Sequence, residues 1–467
     1  MITLLFAGGV RTVTGSMHIL KTGQAQVLLD CGLFEGSRRL AYERNQAQPK
    51  LGVEADVLLL SHAHIDHSGN IPTLVKAGFQ GNIWTTAATR DLCAAMLRDA
   101  GHIQEEDAAY LNKKHQRRGE PPLRPLYTSK DADAAMRYFV SINYDRPFPV
   151  APGIEVTFLD AGHILGSALL YLEIHDGERT LRLGYTGDLG RHGQRILRDP
   201  ELVRGLDYLV MESTYGARSH EAIDQAQATL RRVVAETYRR GGKVIIPAFA
   251  VGRTQQVVYD LYLLSKEKSL PRLPIYVDSP LAVDATEIFR LHPECYDEEM
   301  LALLEESRFG PLGFSQVKYI RSVDESKELN FLREPAIIIS ASGMAEAGRI
   351  LHHLKNNIED ERNTILIVGY QAENTLGRRL QDGAKRVRIF DEEHVVRARV
   401  ESIEGYSAHA DREELIAYAE AVAKGSDLRG IFLVHGEEEA TLSLLEALRG
   451  RSLPNVVAPQ PMETVAL

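Results

Sequence analysis

Only three cysteines, Cys31, Cys93 and Cys295, occur in 467 residues. Their spacing forms neither a zinc knuckle nor a disulfide framework, so thiolate zinc is excluded and a reducing compartment is expected. No uncharged apolar run approaches the roughly 20 residues that a membrane-spanning helix needs. The opening segment, Met1 to Gly9, is apolar but short, with no basic n-region, and does not read as a secretory leader. A cytoplasmic location with no membrane partner is therefore the expectation. Basic charge is also in short supply. Lys and Arg number 54 against 64 Asp and Glu, a formal net charge of −10. That excludes a generally basic coat for nucleic acid while leaving room for a local basic groove.

What the chain does have is length for two domains and a series of short apolar runs. Gln26–Leu29 leads into Asp30, and Asp56–Leu60 leads into Ser61. A helical stretch from Thr86 to about Leu111 is followed by a basic, Pro-containing segment, 112–127, that reads as loop. Strands are expected at 154–160, 168–174 and 180–185, the first and last of them ending near His163 and Asp188. Tyr208-Leu209-Val210-Met211 opens a second region ending in Glu212. Beyond it, helices at 220–240 and 253–265 alternate with apolar strands at 243–247, 275–277, 336–340 and 364–368. That alternation predicts a largely parallel α/β sheet buried on both faces. The late strand before His435 is expected to rejoin the first region. The expected organisation is 1–208 and 392–467 as one domain, with 209–391 inserted.

The densest chemistry is Ser61-His62-Ala63-His64-Ile65-Asp66-His67. Buried imidazoles and carboxylates gathered at one point are costly unless a metal pairs them. His62, His64 and His163 are candidates for one ion, and Asp66, His67 and His435 for a second, with Asp188 between them. Two ions about 3.5–4 Å apart activate water and stabilise a phosphodiester undergoing in-line displacement. Asp30 is a candidate acceptor for the non-ligating nitrogen of a histidine.

His62-x-His64-x-Asp66-His67, with Asp30, His163 and Asp188, resembles the metallo-β-lactamase fold. The resemblance implies an αββα sandwich with a dinuclear zinc site between its sheets. The second region resembles the β-CASP domain of nucleic-acid processing enzymes. Glu212 matches its acidic motif A, His409 in Tyr406-Ser407-Ala408-His409-Ala410-Asp411 its motif B, and His435 in Leu433-Val434-His435-Gly436-Glu437 its motif C. The runs Pro247 to Arg253, Ser340 to Met344 and Gly369 to Ala372 add to the likeness. It implies that His435 completes the zinc site, that Glu212 partners His409, and that Asp66, Glu212 and His409 serve catalysis. The histidine at position 409 leans toward the RNA-cleaving members related to the pre-mRNA 3′-end cleavage nuclease, rather than the DNA-processing branch. No separate RNA-binding module is read before residue 30 or after residue 440.

Phosphate needs cations, hydroxyls and amides. Arg253, Ser340, Ser342, Gly343, Arg378 and Ser407 are the candidates. Tyr215, Phe249 and Tyr370 lie beside these motifs. Aromatic rings next to strands usually belong to the core, whereas rings in a groove stack bases. The leading expectation is a zinc endoribonuclease acting on single-stranded or locally unpaired RNA through metal-activated hydroxide, giving 5′-phosphate and 3′-hydroxyl ends. Manganese is an alternative ion, and the family allows a homodimer. Competing readings are a DNA nuclease or 5′-exoribonuclease of the same family, a small ester or thioester hydrolase, and an inactive RNA-binding scaffold. The ester hydrolase accounts for the metal ligands but not for the second region. The scaffold does not require the complete ligand set that is present.

Overall fold

A computed structural model describes residues 1–177, 179–306, 310–451 and 453–467. The chain divides into two compact units. The first comprises 1–192, 199–219 and 409–467, and the second comprises 193–198 and 220–408.

The first unit holds two seven-stranded sheets. One runs Thr464–Ala466, Thr3–Gly8, Met17–Lys21, Gln26–Leu29, Val57–Leu59, Asn82–Thr86, Phe139–Ile142. The other runs Val456–Val457, Gly430–Val434, Tyr208–Glu212, Arg179–Tyr185, Ala168–Asp176, Ile154–Asp160, Phe148–Ala151. Side-chain alternation along the strands builds two cores. Leu4, Phe6 and Leu29 meet Val156, Phe158, Leu170, Val210 and Phe432 between the sheets. Leu209, Met211, Ile431 and Leu433 point the other way, onto Leu415, Leu444 and Leu448, which lie on helices Arg412–Lys424 and Glu438–Arg449. Strands clothed on both faces need apolar residues at successive positions, which explains the continuous runs. The result is the αββα sandwich.

The second unit is built on a six-stranded sheet ordered Val317–Ile320, Ile275–Asp278, Ile337–Ser340, Val244–Pro247, Thr364–Ile367, Arg399–Ser402. Every neighbouring pair in it is parallel.

Three details differ from the sequence reading. Strand Tyr208–Glu212 belongs to the first unit, because it pairs with both Arg179–Tyr185 and Gly430–Val434. Strand Arg399–Ser402 extends the second unit's sheet, so the units part at 219/220 and 408/409 rather than 208/209 and 391/392. Helix Ala87–Arg118 runs past Leu111 into the segment expected as loop and ends on Gly119 at φ 68°. Its extra turns are polar, and apolar periodicity does not register them. Among the described residues, no helix is long and apolar enough to cross a membrane.

Candidate metal centre

Six strand ends of the first unit carry the site. Asp30, His62, His163, Asp188 and His435 follow strands Gln26–Leu29, Val57–Leu59, Ile154–Asp160, Arg179–Tyr185 and Gly430–Val434, and Glu212 closes Tyr208–Glu212. Asp30 and His435 have left-handed backbones, φ 57° and 47°, a strain of order 1–3 kcal/mol that surrounding structure must hold. Gly32 lets two segments touch. A Cβ there would lie 1.6 Å from the carbonyl oxygen of Asp66.

His62, His64, His163 and Asp188 converge in one group, and Asp66, His67 and His435 in another. Ring nitrogens face each other: His62 Nε2 to His64 Nδ1 at 3.2 Å, His163 Nε2 to His64 Nδ1 at 3.1 Å, His67 Nε2 to His435 Nε2 at 3.1 Å. Asp188 lies among them. Its Oδ2 is 3.3 Å from His62 Nε2 and 3.5 Å from His163 Nε2, while Oδ1 is 3.1 Å from both His67 Nε2 and His435 Nδ1. Neither oxygen has a hydrogen bond of good geometry. Two nitrogens on one tetrahedral zinc, each about 2.0–2.1 Å away, stand roughly 3.3 Å apart. The spacing and the donor set therefore fit divalent metal.

Electrostatics agrees. Burial, with neighbouring histidines, lowers the pKa of His64 to about 3 and holds His62 and His163 below the ordinary histidine range. Unprotonated imidazole is the ligating form. Burial also acts on His67, but Asp188 and Asp30 overcome it and raise that ring well above the usual value. Asp188 is held far below the carboxylate range despite its burial, by His435, His67 and His62. Asp30 Oδ1 accepts from the Ser61 amide, and Oδ2 lies 2.7 Å from His67 Nδ1 while accepting from Ser61 Oγ and Tyr185 Oη. It is positioned to orient His67.

His409 stands beside this cluster. A bridge to Gly190 and the Ala410 amide on the Leu189 carbonyl fix its backbone. Its Nδ1 is 3.1 Å from Glu212 Oε1, which also accepts from the Leu189 amide. Burial disfavours its charged form, but Glu212 and then Asp188 and Asp66 raise its pKa to about 9.

The phosphate candidates of the second unit are dispersed in role. Arg253 begins helix Arg253–Lys266, and its Nη1 donates to Gln256 Oε1. Ser340 is buried and donates its hydroxyl to the Asp278 carbonyl, so that proton belongs to the sheet. Ser342 Oγ accepts from the Glu346 amide at 3.5 Å. Gly343 lies under the ring of Phe249. The Ser407 amide donates to the Glu404 carbonyl, and its side chain is buried. Arg378 sits on helix Leu376–Gln381, where its Nε donates to both carboxylate oxygens of Asp382.

Family models match in three blocks: a beta-lactamase superfamily domain at 25–239, a Beta-Casp domain at 254–380, and a Zn-dependent metallo-hydrolase RNA specificity domain at 393–459. A Thermus thermophilus protein named Ribonuclease TTHA0252 is 36% identical over 455 residues, 96% of this chain and 96% of that protein. The chain belongs to the metallo-β-lactamase, β-CASP family of RNA nucleases. A transcription termination factor, FttA, from Methanocaldococcus jannaschii is 33% identical over 99% of this chain and 71% of its own length. In structure, a protein of unknown function from Enterococcus faecalis V583 matches over 100% of both chains with TM-score 0.56 and 14% identity, a likeness of fold.

For a β-CASP nuclease, several supporting residues escape motif reading. Tyr185 and Ser61 serve Asp30, and Thr214 Oγ1 lies 3.2 Å from His435 Nδ1. Tyr185 closes the strand that delivers Asp188, and no spacing rule marks it. His18 is fully buried, with hydrogen bonds to neither ring nitrogen. His192, close to Asp188 in sequence, instead turns to Asp199 on the surface.

Proposed function

We propose that this metal-dependent RNA hydrolase is a zinc endoribonuclease yielding 5′-phosphate and 3′-hydroxyl ends. The reading rests on one observation: the two oxygens of Asp188 address different histidine groups, Oδ2 toward His62 and His163, Oδ1 toward His67 and His435. In this reading His62, His64 and His163 hold one ion, Asp66, His67 and His435 hold the other, and Asp188 is shared. Five imidazoles favour zinc over manganese. When bound, such a pair activates water and offsets phosphoryl charge. His409 donates a proton to the departing ribose oxygen. Glu212 orients its ring and keeps it protonated at neutral pH. Relatives named as a ribonuclease and a transcription termination factor favour RNA as the polymer. Arg253, Ser342, Gly343, Ser407 and Arg378 are the proposed phosphate contacts, with the Ser340 backbone beside them.

His409→Ala tests the acid. It should keep two ions and most RNA affinity while losing about 10²–10⁴-fold in turnover. RNA with a better leaving group at the cleaved bond should recover part of that loss. Departure of the metals would make His409 a ligand, and full activity on ordinary RNA with metals intact would remove it from the mechanism.

A further inference from the structure

The sheet of the second unit has a switch point. After Val244–Pro247 the chain passes through helix Arg253–Lys266 to Ile275–Asp278, beyond Ile337–Ser340. After Ile337–Ser340 it passes through helix Arg349–Asn357 to Thr364–Ile367, on the opposite side. Two adjacent parallel strands thus send their connections in opposite directions, the place where open α/β sheets take ligands.

Phe249 emerges at that place. The fold buries its small neighbours, Ala248 and Ala250, yet leaves the phenylalanine 42% exposed. Tyr370, following Thr364–Ile367, is 45% exposed between buried Val368 and Gln371. An exposed ring adds little to the core, and here the backbone beneath each ring is tied down by hydrogen bonds. The Phe249 carbonyl accepts from the Thr254 amide and hydroxyl. Its ring lies so close over Gly343 that a Cβ there would come within 2.8 Å of it. The Gly343 carbonyl accepts from Gln371 Nε2, which also donates to the Tyr370 carbonyl. Register places Pro247 level with Ser340. Both aromatics therefore leave neighbouring strands around one knot, Gly343 with Gln371.

We infer that Phe249 and Tyr370 form a base-stacking platform for single-stranded RNA, Phe249 its fixed element. The inference rests on the ribonuclease reading and adds a nucleobase contact to it. Stacking is tolerant of sequence because every base has a π-face, and losing one stack weakens binding by about 5- to 150-fold.

The test compares wild type, Phe249→Ala and Phe249→Tyr on three substrates: a single-stranded RNA, the same RNA with an abasic residue stepped through successive positions, and a chromogenic aryl phosphodiester without a base. Phe249→Ala should raise KM for intact RNA about tenfold with kcat little changed, Phe249→Tyr should stay near wild type, and all three should turn over the aryl diester alike. At one position the abasic residue should cost wild type about the same factor and cost Phe249→Ala nothing further. Equal loss on RNA and aryl diester would mean a structural role and overturn the platform. So would an unchanged KM, failure of Phe249→Tyr to retain binding, or the same abasic penalty in wild type and Phe249→Ala. If wild type cleaves the aryl diester but neither binds nor cleaves RNA, the ribonuclease reading falls, and the platform with it.

Discussion

At the scale of single residues, atoms that would contact metal in the proposed centre are distinct from atoms that would hold those contacts in place. Asp188 belongs to the first class, since its oxygens face ring nitrogens of four histidines. Asp188→Ala should reduce bound metal below two ions per chain and leave RNA cleavage near background, read by elemental analysis and a cleavage assay on the same sample. Two tightly held ions with near-normal turnover would refute the shared ligand. Asp30 belongs to the second class, buried and bonded to Ser61, His67 and Tyr185. Asp30→Asn keeps shape but loses the charge that orients His67. Metal affinity should fall about 10–100-fold, measured by chelator competition, with the folded state retained.

At the scale of elements, the second unit carries a buried polar knot outside the candidate metal centre. Asp278, closing strand Ile275–Asp278, accepts from Arg349 Nη1 at 2.7 Å and Ser326 Oγ at 2.6 Å, and its Oδ2 lies 2.6 Å from His353 Nε2. It ties one strand to helices Val323–Leu329 and Arg349–Asn357. Burial alone would raise this carboxyl, but His353, Ser326 and Arg349 together hold it below the ordinary aspartate value. A depressed folded pKa means stability that is present above the unfolded value, near 3.9, and lost as pH falls through the folded one. Asp278→Asn should therefore cost about 3 kcal/mol at neutral pH, and the gap between variant and wild type should narrow on acidification below about pH 4. A gap independent of pH in denaturant titrations would show that the charge is not what stabilises the knot.

At the scale of the whole molecule, an acidic chain, net −10, handles a polyanion. Recognition must then come from local contacts rather than bulk charge. A covalently closed circular RNA separates internal cutting from entry at an end. The expectation is conversion of circles to linear RNA, abolished by a chelator and restored by zinc. Survival of circles while linear RNA is degraded would replace the endonuclease with an end-dependent mode. The identity of the family was legible early, because His62, His64, Asp66 and His67 fall within six consecutive positions of one short segment. Local sequence spacing preserves such a motif whatever surrounds it. The unit boundary was less legible. Tyr208–Glu212 and Arg399–Ser402 look alike as apolar or mixed β segments, and only their pairing partners assign the first to one sheet and the second to another.

The sequence by itself determined the periodic elements, the parallel sheet of the second unit and the ligand types, because these follow from local hydrophobic pattern and side-chain chemistry. Tertiary structure alone decided which of 16 histidines stand together. His18 and His353 are as buried as His62, yet His18 lies among aromatic rings and His353 binds Asp278. Structure also decided that the proton of the Ser340 hydroxyl belongs to the sheet and that Phe249 faces solvent. Those outcomes depend on which strands become neighbours and where their ends meet, a long-range property that no local window of residues contains.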